Sequence, residues 1–480
     1  MPTTEQADKV HASNELISTS FFVLYAAYVL TRIPLLWYNE AEYTEGYIFT
    51  LWSFTKELKW HPLYPGLMKG LSAIIDPILA GRIVSALSGL VTLIFLGRLA
   101  EKLYNRQTAI IASLLFITAP LVLLFSTRVL TESLFLAVSV GTVYYFFCSL
   151  DQESRWGMAG LVFFCGLTVL TRPEGFIFTS LIGISALNTI RKRKWKPLFF
   201  SCAGLASWLV FFLWWRLRPT GSTYVRVFNT SLNDLSLERF LTYLFSYIEA
   251  YPYALCYPIF LLAFYHVMVQ AFQRRALWAW ILVFLHVIWI GILCMHWAWT
   301  TRFLIVLATL ALVEAASMLT SLQSRVSPRL WKALAFSVLV FSLIQSNVAL
   351  YFGKQTFADI KDTALFIRNN SGQQRIFSDE SFKVQYYLGR SILPYSVNTD
   401  FQPGDIITLH SFHTHLSNEV ETLTKRYKLS LVYSAGSRTM PFLGCGPVEV
   451  FSGTNQPSLL QNRFRPQRFQ SLVLQIVAKK

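Results

Sequence analysis

Long apolar segments recur along the first three quarters of the chain. Each is close to the roughly 20 residues that an α-helix needs to cross a bilayer. Read this way, spans are predicted near 16–37, 80–100, 108–126, 129–149, 157–171, 174–190, 197–217, 251–272, 276–297, 303–322 and 331–352, about eleven in all. The fifth and sixth are short, and Arg172-Pro173-Glu174 forces a polar break between them. After Phe352 the pattern changes. Residues 353–480 are ordinary polar sequence, with short β-prone runs at 405–409 and 429–433 alternating with helix-like segments at 360–369 and 416–428. The pattern predicts a polytopic α-helical membrane domain over 1–352, then a small α/β domain over 353–480 outside the membrane. The first apolar stretch is too long for a signal-peptide h-region and lacks a small-residue cleavage site, so it is expected to persist as an anchor.

Composition strengthens the membrane assignment. Of 480 residues, 54% are hydrophobic and 14% charged, where a soluble domain would carry about 25% charged. The net charge of +16 would suggest nucleic acid in a soluble protein. Here the densest basic run, Arg191-Lys192-Arg193-Lys194-Trp195-Lys196, lies between two apolar segments. It reads as a topology determinant, and no nucleic-acid partner is expected. Taking the basic loops at 98–106, 191–196, 274–275 and 325–332 as cytoplasmic puts the N-terminus inside and the C-terminus outside. The loops at 38–79, 127–128, 172–173, 218–250 and 298–302 then share the outer face. The six cysteines show no CxxC spacing, so no zinc or dithiol site is predicted.

The candidate chemistry lies on that face. In the first outer loop, 38–79, Asn39-Glu40-Ala41-Glu42-Tyr43 is followed by Lys59-Trp60-His61-Pro62-Leu63-Tyr64-Pro65. A carboxylate there can act as general base toward a hydroxyl if it is held within reach; the plain alternative is a solvated acidic face. His61-Pro62 must turn the chain or start a helix, and His61 with Lys59 could present positive charge to an anionic headgroup. Arg128, Arg172 and Arg302 sit at outer ends of spans. An arginine in such a place ordinarily snorkels. Three on one face, two of them close to Glu132 and Glu174, point instead to a bidentate site for phosphate. Trp297 and Trp299 beside His296 read as interfacial anchors, and His410, His413 and His415 as surface histidines. Asp-x-Asp, Walker A, GxGxxG and HExxH are absent, so neither a nucleotide-driven pump nor a metal-dependent nucleotide-sugar enzyme has visible equipment.

The order of these motifs resembles the GT-C class of integral-membrane glycosyltransferases, the superfamily of protein O-mannosyltransferases and the aminoarabinose transferase. The matching features are the acidic first-loop motif, His-Pro-Leu-Tyr closing that loop, Arg128-x-x-x-Glu132, Thr171-Arg172-Pro173-Glu174-Gly175, Arg302-Phe303 and an outer C-terminal domain. The resemblance implies transfer of a sugar from a polyprenyl-phosphate carrier to an acceptor hydroxyl on a glycan, lipid or protein, with inversion. It also implies residence in a plasma membrane of the prokaryotic inner-membrane kind, surrounded by membrane lipids. On this reading Arg302, Arg172, Arg128, His61 and Lys59 surround the carrier phosphate. Glu42 or Glu40 is the base, with Glu42 favoured, and Asn39, Tyr43, Tyr64, Glu132 and Glu174 position the loops. No metal ligands are assigned, and a divalent cation stays open as a cofactor.

One departure stands out. The family's first-loop motif commonly begins with Asp, and here Asn39 takes that place, although an amide cannot accept a proton usefully. Two other readings therefore compete: a transporter or flippase for a lipid-linked anion, and a non-catalytic scaffold. A transporter should show related halves or broken midplane helices, and the sequence shows neither.

Overall fold

The computed structural model describes residues 19–42, 44–51, 61–150, 156–191, 204, 236–274, 276–295, 301–372, 374–411, 416–439 and 467–480. Six of its helices are long and apolar enough to cross a membrane: Thr19–Trp37, Pro77–Leu103, Glu132–Leu150, Leu277–Cys294, Thr301–Gln323 and Pro328–Asn370. A seventh span is added if Leu237–Leu255 and Tyr257–Gln273, which meet at 110°, count as one. The chain is thus an integral membrane protein.

The expected count of eleven is not reached among the described residues, for local reasons. The 108–126 segment is two helices, Arg106–Thr118 and Pro120–Phe125, because Pro120 cannot continue the helix before it. Backbone acceptors freed by that break must be satisfied inside the protein. Arg32 donates to Ile117 O at 3.0 Å, while Ser342 and Ser346 donate to Thr118 O at 2.8 and 2.6 Å. The segment 174–190 opens as a 3-10 turn, Pro173–Phe178, leaving 13 residues of α-helix, Thr179–Arg191. The 197–217 segment lies outside the described residues, apart from Gly204.

The bend between Leu237–Leu255 and Tyr257–Met268 follows from Pro252, Pro258 and Cys256, which takes a left-handed φ of 77°. It is a broken helix pair that the sequence reading did not find. His286 braces it: its Nδ1 donates to Leu282 O, which leaves Nε2 to accept from Tyr251 at 2.6 Å. Away from the loops discussed below, the buried Glu314 carboxylate accepts from Tyr104 at 2.7 Å and from the Trp278 indole. It also pairs with His266 Nδ1 at 2.6 Å, so one acid ties together three further helices.

The helix Pro328–Gln355 leads, through a left-handed turn at Phe357 (φ 64°), into Ala358–Asn370 and the C-terminal sheet. The strands are β1 (Ile376–Ser378), β2 (Leu393–Pro394), β3 (Ile406–His410), β4 (Tyr427–Thr439) and β5 (Gln467–Lys479), in the order β2-β1-β3-β5-β4. The β1 pairings are parallel, whereas β5 runs antiparallel to both β3 and β4. Phe377, Phe401, Ile407, Leu409, Leu423, Tyr427, Leu474 and Ile476 form a core separate from that of the bundle. His410 is not a surface residue, as the sequence had suggested. β3 turns its imidazole inward, 2.9 Å from buried Asp359, and so ties the sheet to the helix that leaves the bundle.

Candidate active site

Polar groups that the sequence scatters over several loops meet in two clusters, linked by the segment 126–132. The first is centred on Glu42, which is buried. Its Oε1 accepts from Arg82 Nε at 2.7 Å; its Oε2 accepts from the Val129 amide at 3.1 Å and lies 3.8 Å from Arg128. Arg82 also donates to Leu36 O at 2.6 Å and Asn39 O at 3.0 Å, while Arg128 donates to Ala41 O and Gly353 O. Both guanidinium groups are thereby committed to holding the first loop. Close approach of the two chain segments makes this geometry possible. A Cβ on Gly81 would lie 2.5 Å from a Val129 methyl group. Tyr64 closes the contact, donating to Gly81 O at 2.9 Å beside Ser85, which donates to Arg128 O at 2.6 Å.

Asn39 has a physical reason to be an amide. Its Nδ2 donates to Thr127 O at 3.4 Å, where an ionised Asp would set a carboxylate against a carbonyl oxygen. Glu40 differs from Glu42. Its side chain is 38% exposed and, among the described residues, its ion pair is with Lys354, at 3.6 Å. The C-terminal region reaches this loop as well: Tyr47 accepts from the Glu42 amide at 2.7 Å and lies 2.6 Å from the Tyr387 hydroxyl, and Tyr387 donates to Glu40 O at 3.3 Å.

The second cluster lines a small pocket formed by Glu132, Phe135, Arg172, Glu174, Trp289, Arg302, Phe303, Ile305 and Val306. Arg172 makes a fork with Glu174 at 3.1 and 3.2 Å and a further bond to Glu132 at 2.8 Å. Its guanidinium carbon lies 4.8 Å from the Phe303 ring centre. Arg302 approaches the same Glu132 oxygen at 3.4 Å. Trp289 donates to Phe303 O at 3.0 Å, which sets the indole as one wall. The pocket thus combines cations, carboxylates and aromatic faces.

His61 is placed differently from the sequence expectation. Its Nδ1 donates to Val169 O at 2.6 Å, and burial pushes its pKa down to about 4, so it is neutral and supplies no charge. Lys59 and Tyr43 lie outside the described residues, as do His296, Trp297, Trp299, His413 and His415. Among the described residues no three His, Cys, Asp or Glu side chains converge to hold a metal ion. Sequence reasoning missed Arg82, although the signal was present. It is the sole ionisable residue between Asp76 and Arg98, and a charge inside a span marks a paired or functional position. Phe135, Trp289, Tyr47 and Tyr387 had no such signal.

The fold is similar to those of solved membrane transferases, and part of the chain matches a family model. Residues 61–215 match the family model of dolichyl-phosphate-mannose-protein mannosyltransferases. The structure is similar to that of ArnT from Cupriavidus metallidurans bound to undecaprenyl phosphate. The two share 13% identity over 86% of this chain and 96% of that one, with a TM-score of 0.59. ArnT in the apo state gives 12% identity, 95% and 98% coverage, and 0.58. The archaeal oligosaccharyltransferase AglB from Archaeoglobus fulgidus, in complex with an inhibitory peptide and a dolichol-phosphate, gives 11%, 87% and 70%, and 0.54. A comparison with the curated proteins finds no match.

Proposed function

We propose that the protein transfers a glycosyl group from a polyprenyl-phosphate carrier to an acceptor hydroxyl by a single inverting displacement. The pocket of Glu132, Arg172, Glu174 and Arg302, walled by Phe135, Trp289 and Phe303 within a GT-C fold, carries this reading. The acceptor oxygen attacks the anomeric carbon, the carbon–oxygen bond to phosphate breaks, and the phosphate leaves on the lipid. The acceptor proton passes to a carboxylate. Charge developing on the leaving phosphate must be met by fixed cations. Arg302 is the leading candidate: the Arg172 fork is closed on two glutamates and Arg128 is spent on loop carbonyls. Exposure favours Glu40 over Glu42 as base, reversing the preference drawn from sequence. Glu42 then holds the loop.

Incubating the purified protein with polyprenyl-phosphate sugars should release polyprenyl phosphate when a suitable acceptor is present. Arg302→Ala should lower turnover about 10²–10³-fold, and Arg302→Lys should restore it only in part, because a point charge does not replace a planar fork. Unchanged donor affinity and turnover in Arg302→Ala would remove this residue from the site. The broken helix pair at Cys256 is the one observation favouring a transporter. Movement of intact lipid-linked sugar across vesicles without hydrolysis of the carrier bond would establish that reading instead.

The orientation follows the basic loops, with the motif-bearing end outside and the N-terminus cytoplasmic. In Arg193→Cys, the introduced thiol should be protected from an impermeant maleimide in intact cells and react once the membrane is opened. Reaction in intact cells would invert the topology.

A further inference from the structure

The first loop meets the C-terminal domain through a pair of phenol hydroxyls. Tyr47, in the helix Thr44–Leu51, is 1% exposed, and Tyr387 lies in the helix Ser381–Leu388. Their ring centres are 5.6 Å apart, and the Tyr386 ring lies 5.2 Å from Tyr47. A phenol has one proton to give. Tyr387 gives its proton to Glu40 O at 3.3 Å, so in the 2.6 Å contact Tyr47 is the donor and Tyr387 the acceptor. Tyr47 in turn accepts from the Glu42 amide at 2.7 Å. The result is a continuous chain from Glu42 N–H through Tyr47 and Tyr387 to Glu40 O, spanning the two peptide groups that flank Ala41.

The neighbouring backbone is held from the other side. Arg82 donates to Asn39 O and Arg128 to Ala41 O, while the Glu40 amide donates to Lys354 O at 3.4 Å. Asn39 O and Ala41 O thus depend on the helical bundle, whereas Glu40 O depends on the C-terminal domain. The partly exposed Glu40 side chain extends from a backbone fixed in both directions. Misplacing a reacting group by about 1 Å can cost about 10²-fold in rate. A bond to the carbonyl of the residue that bears the base therefore acts on turnover.

We infer that Tyr387 is a positioning residue: its hydroxyl, with that of Tyr47, sets the backbone from which the Glu40 carboxylate reaches the acceptor, and the C-terminal domain thereby completes the site. The inference rests on the transfer reading above, with Glu40 as base. The test is turnover by the full-length protein in nanodiscs. Undecaprenyl-phosphate-linked hexose and pentose serve as donors, a membrane lipid extract supplies acceptor hydroxyls, and released undecaprenyl phosphate is measured. Tyr387→Phe keeps the ring and removes the hydroxyl. It should lower kcat about tenfold to 10²-fold while leaving the donor KM and the thermal midpoint unchanged. In the Glu40→Gln background the same change should cost nothing further, because it acts through Glu40. Tyr47→Phe breaks the chain from the loop side and carries the same expectation should Tyr387→Phe not fold. If only packing matters, Tyr387→Phe turns over like the unmodified protein while Tyr387→Ala loses activity, and the inference falls while transfer stands. An equal loss in both backgrounds, or full turnover in Glu40→Gln alone, overturns it too and leaves transfer intact. No release from either donor by the unmodified protein overturns the transfer reading and this one with it.

Discussion

Glu40→Gln is expected to lower turnover about 10²–10⁴-fold, the usual effect of losing a general base, while affinity for the lipid-linked donor is retained. The expectation rests on a difference between neighbouring acids. Glu42 is 1% exposed and both its oxygens are engaged by Arg82, Arg128 and the Val129 amide. A carboxylate with both oxygens so engaged presents no free oxygen to an incoming acceptor. Glu40 is 38% exposed and pairs with Lys354 at 3.6 Å. If Glu40→Gln keeps full activity and Glu42→Gln is inactive with donor still bound, the roles are reversed. If both keep activity, neither first-loop carboxylate is the base.

Arg82→Ala should be the most destabilising single change among the residues that hold the first loop. Removing one partner of a buried ion pair leaves an uncompensated charge and typically costs about 3–5 kcal/mol. Here the same side chain also supplies donors to Leu36 O and Asn39 O, so the loop backbone loses its support as well. Thermal unfolding in detergent should show a large fall in midpoint. Glu42→Ala in the Arg82→Ala background should recover part of that loss, since it removes the stranded carboxylate. The coupling in that double-mutant cycle measures the pair directly. A midpoint within the scatter of surface substitutions would show that the Glu42–Arg82 pair does not support the fold.

Much of the architecture was legible because it depends on local pattern. Apolar length identifies membrane helices without knowledge of their neighbours. The polar shift after Phe352, the β-prone runs and the short motifs at 39–43, 61–65, 128–132, 171–175 and 302–303 are likewise properties of consecutive residues. The count of spans was less legible. Pro120, the Pro173–Phe178 turn and Cys256 each interrupt an apolar run. Hydropathy averages over such breaks, and whether the chain tolerates one depends on distant donors such as Arg32, Ser342 and Ser346.

Within the candidate site, sequence alone determined which residues are chemically able to act: two first-loop acids, a set of arginines at span ends, and two further glutamates beside them. Which of these are buried in ion pairs and which stay exposed was decided only in three dimensions. Partner choice is a long-range property: Glu42 finds Arg82 forty positions away, Glu132 finds Arg172 and Arg302, and the Tyr47–Tyr387 contact joins residues 340 apart. Burial then separates side chains of identical chemistry. It leaves Glu40 reachable and Glu42 locked, makes His61 a neutral donor to a carbonyl, and turns Arg128 from a phosphate candidate into a strut for the first loop.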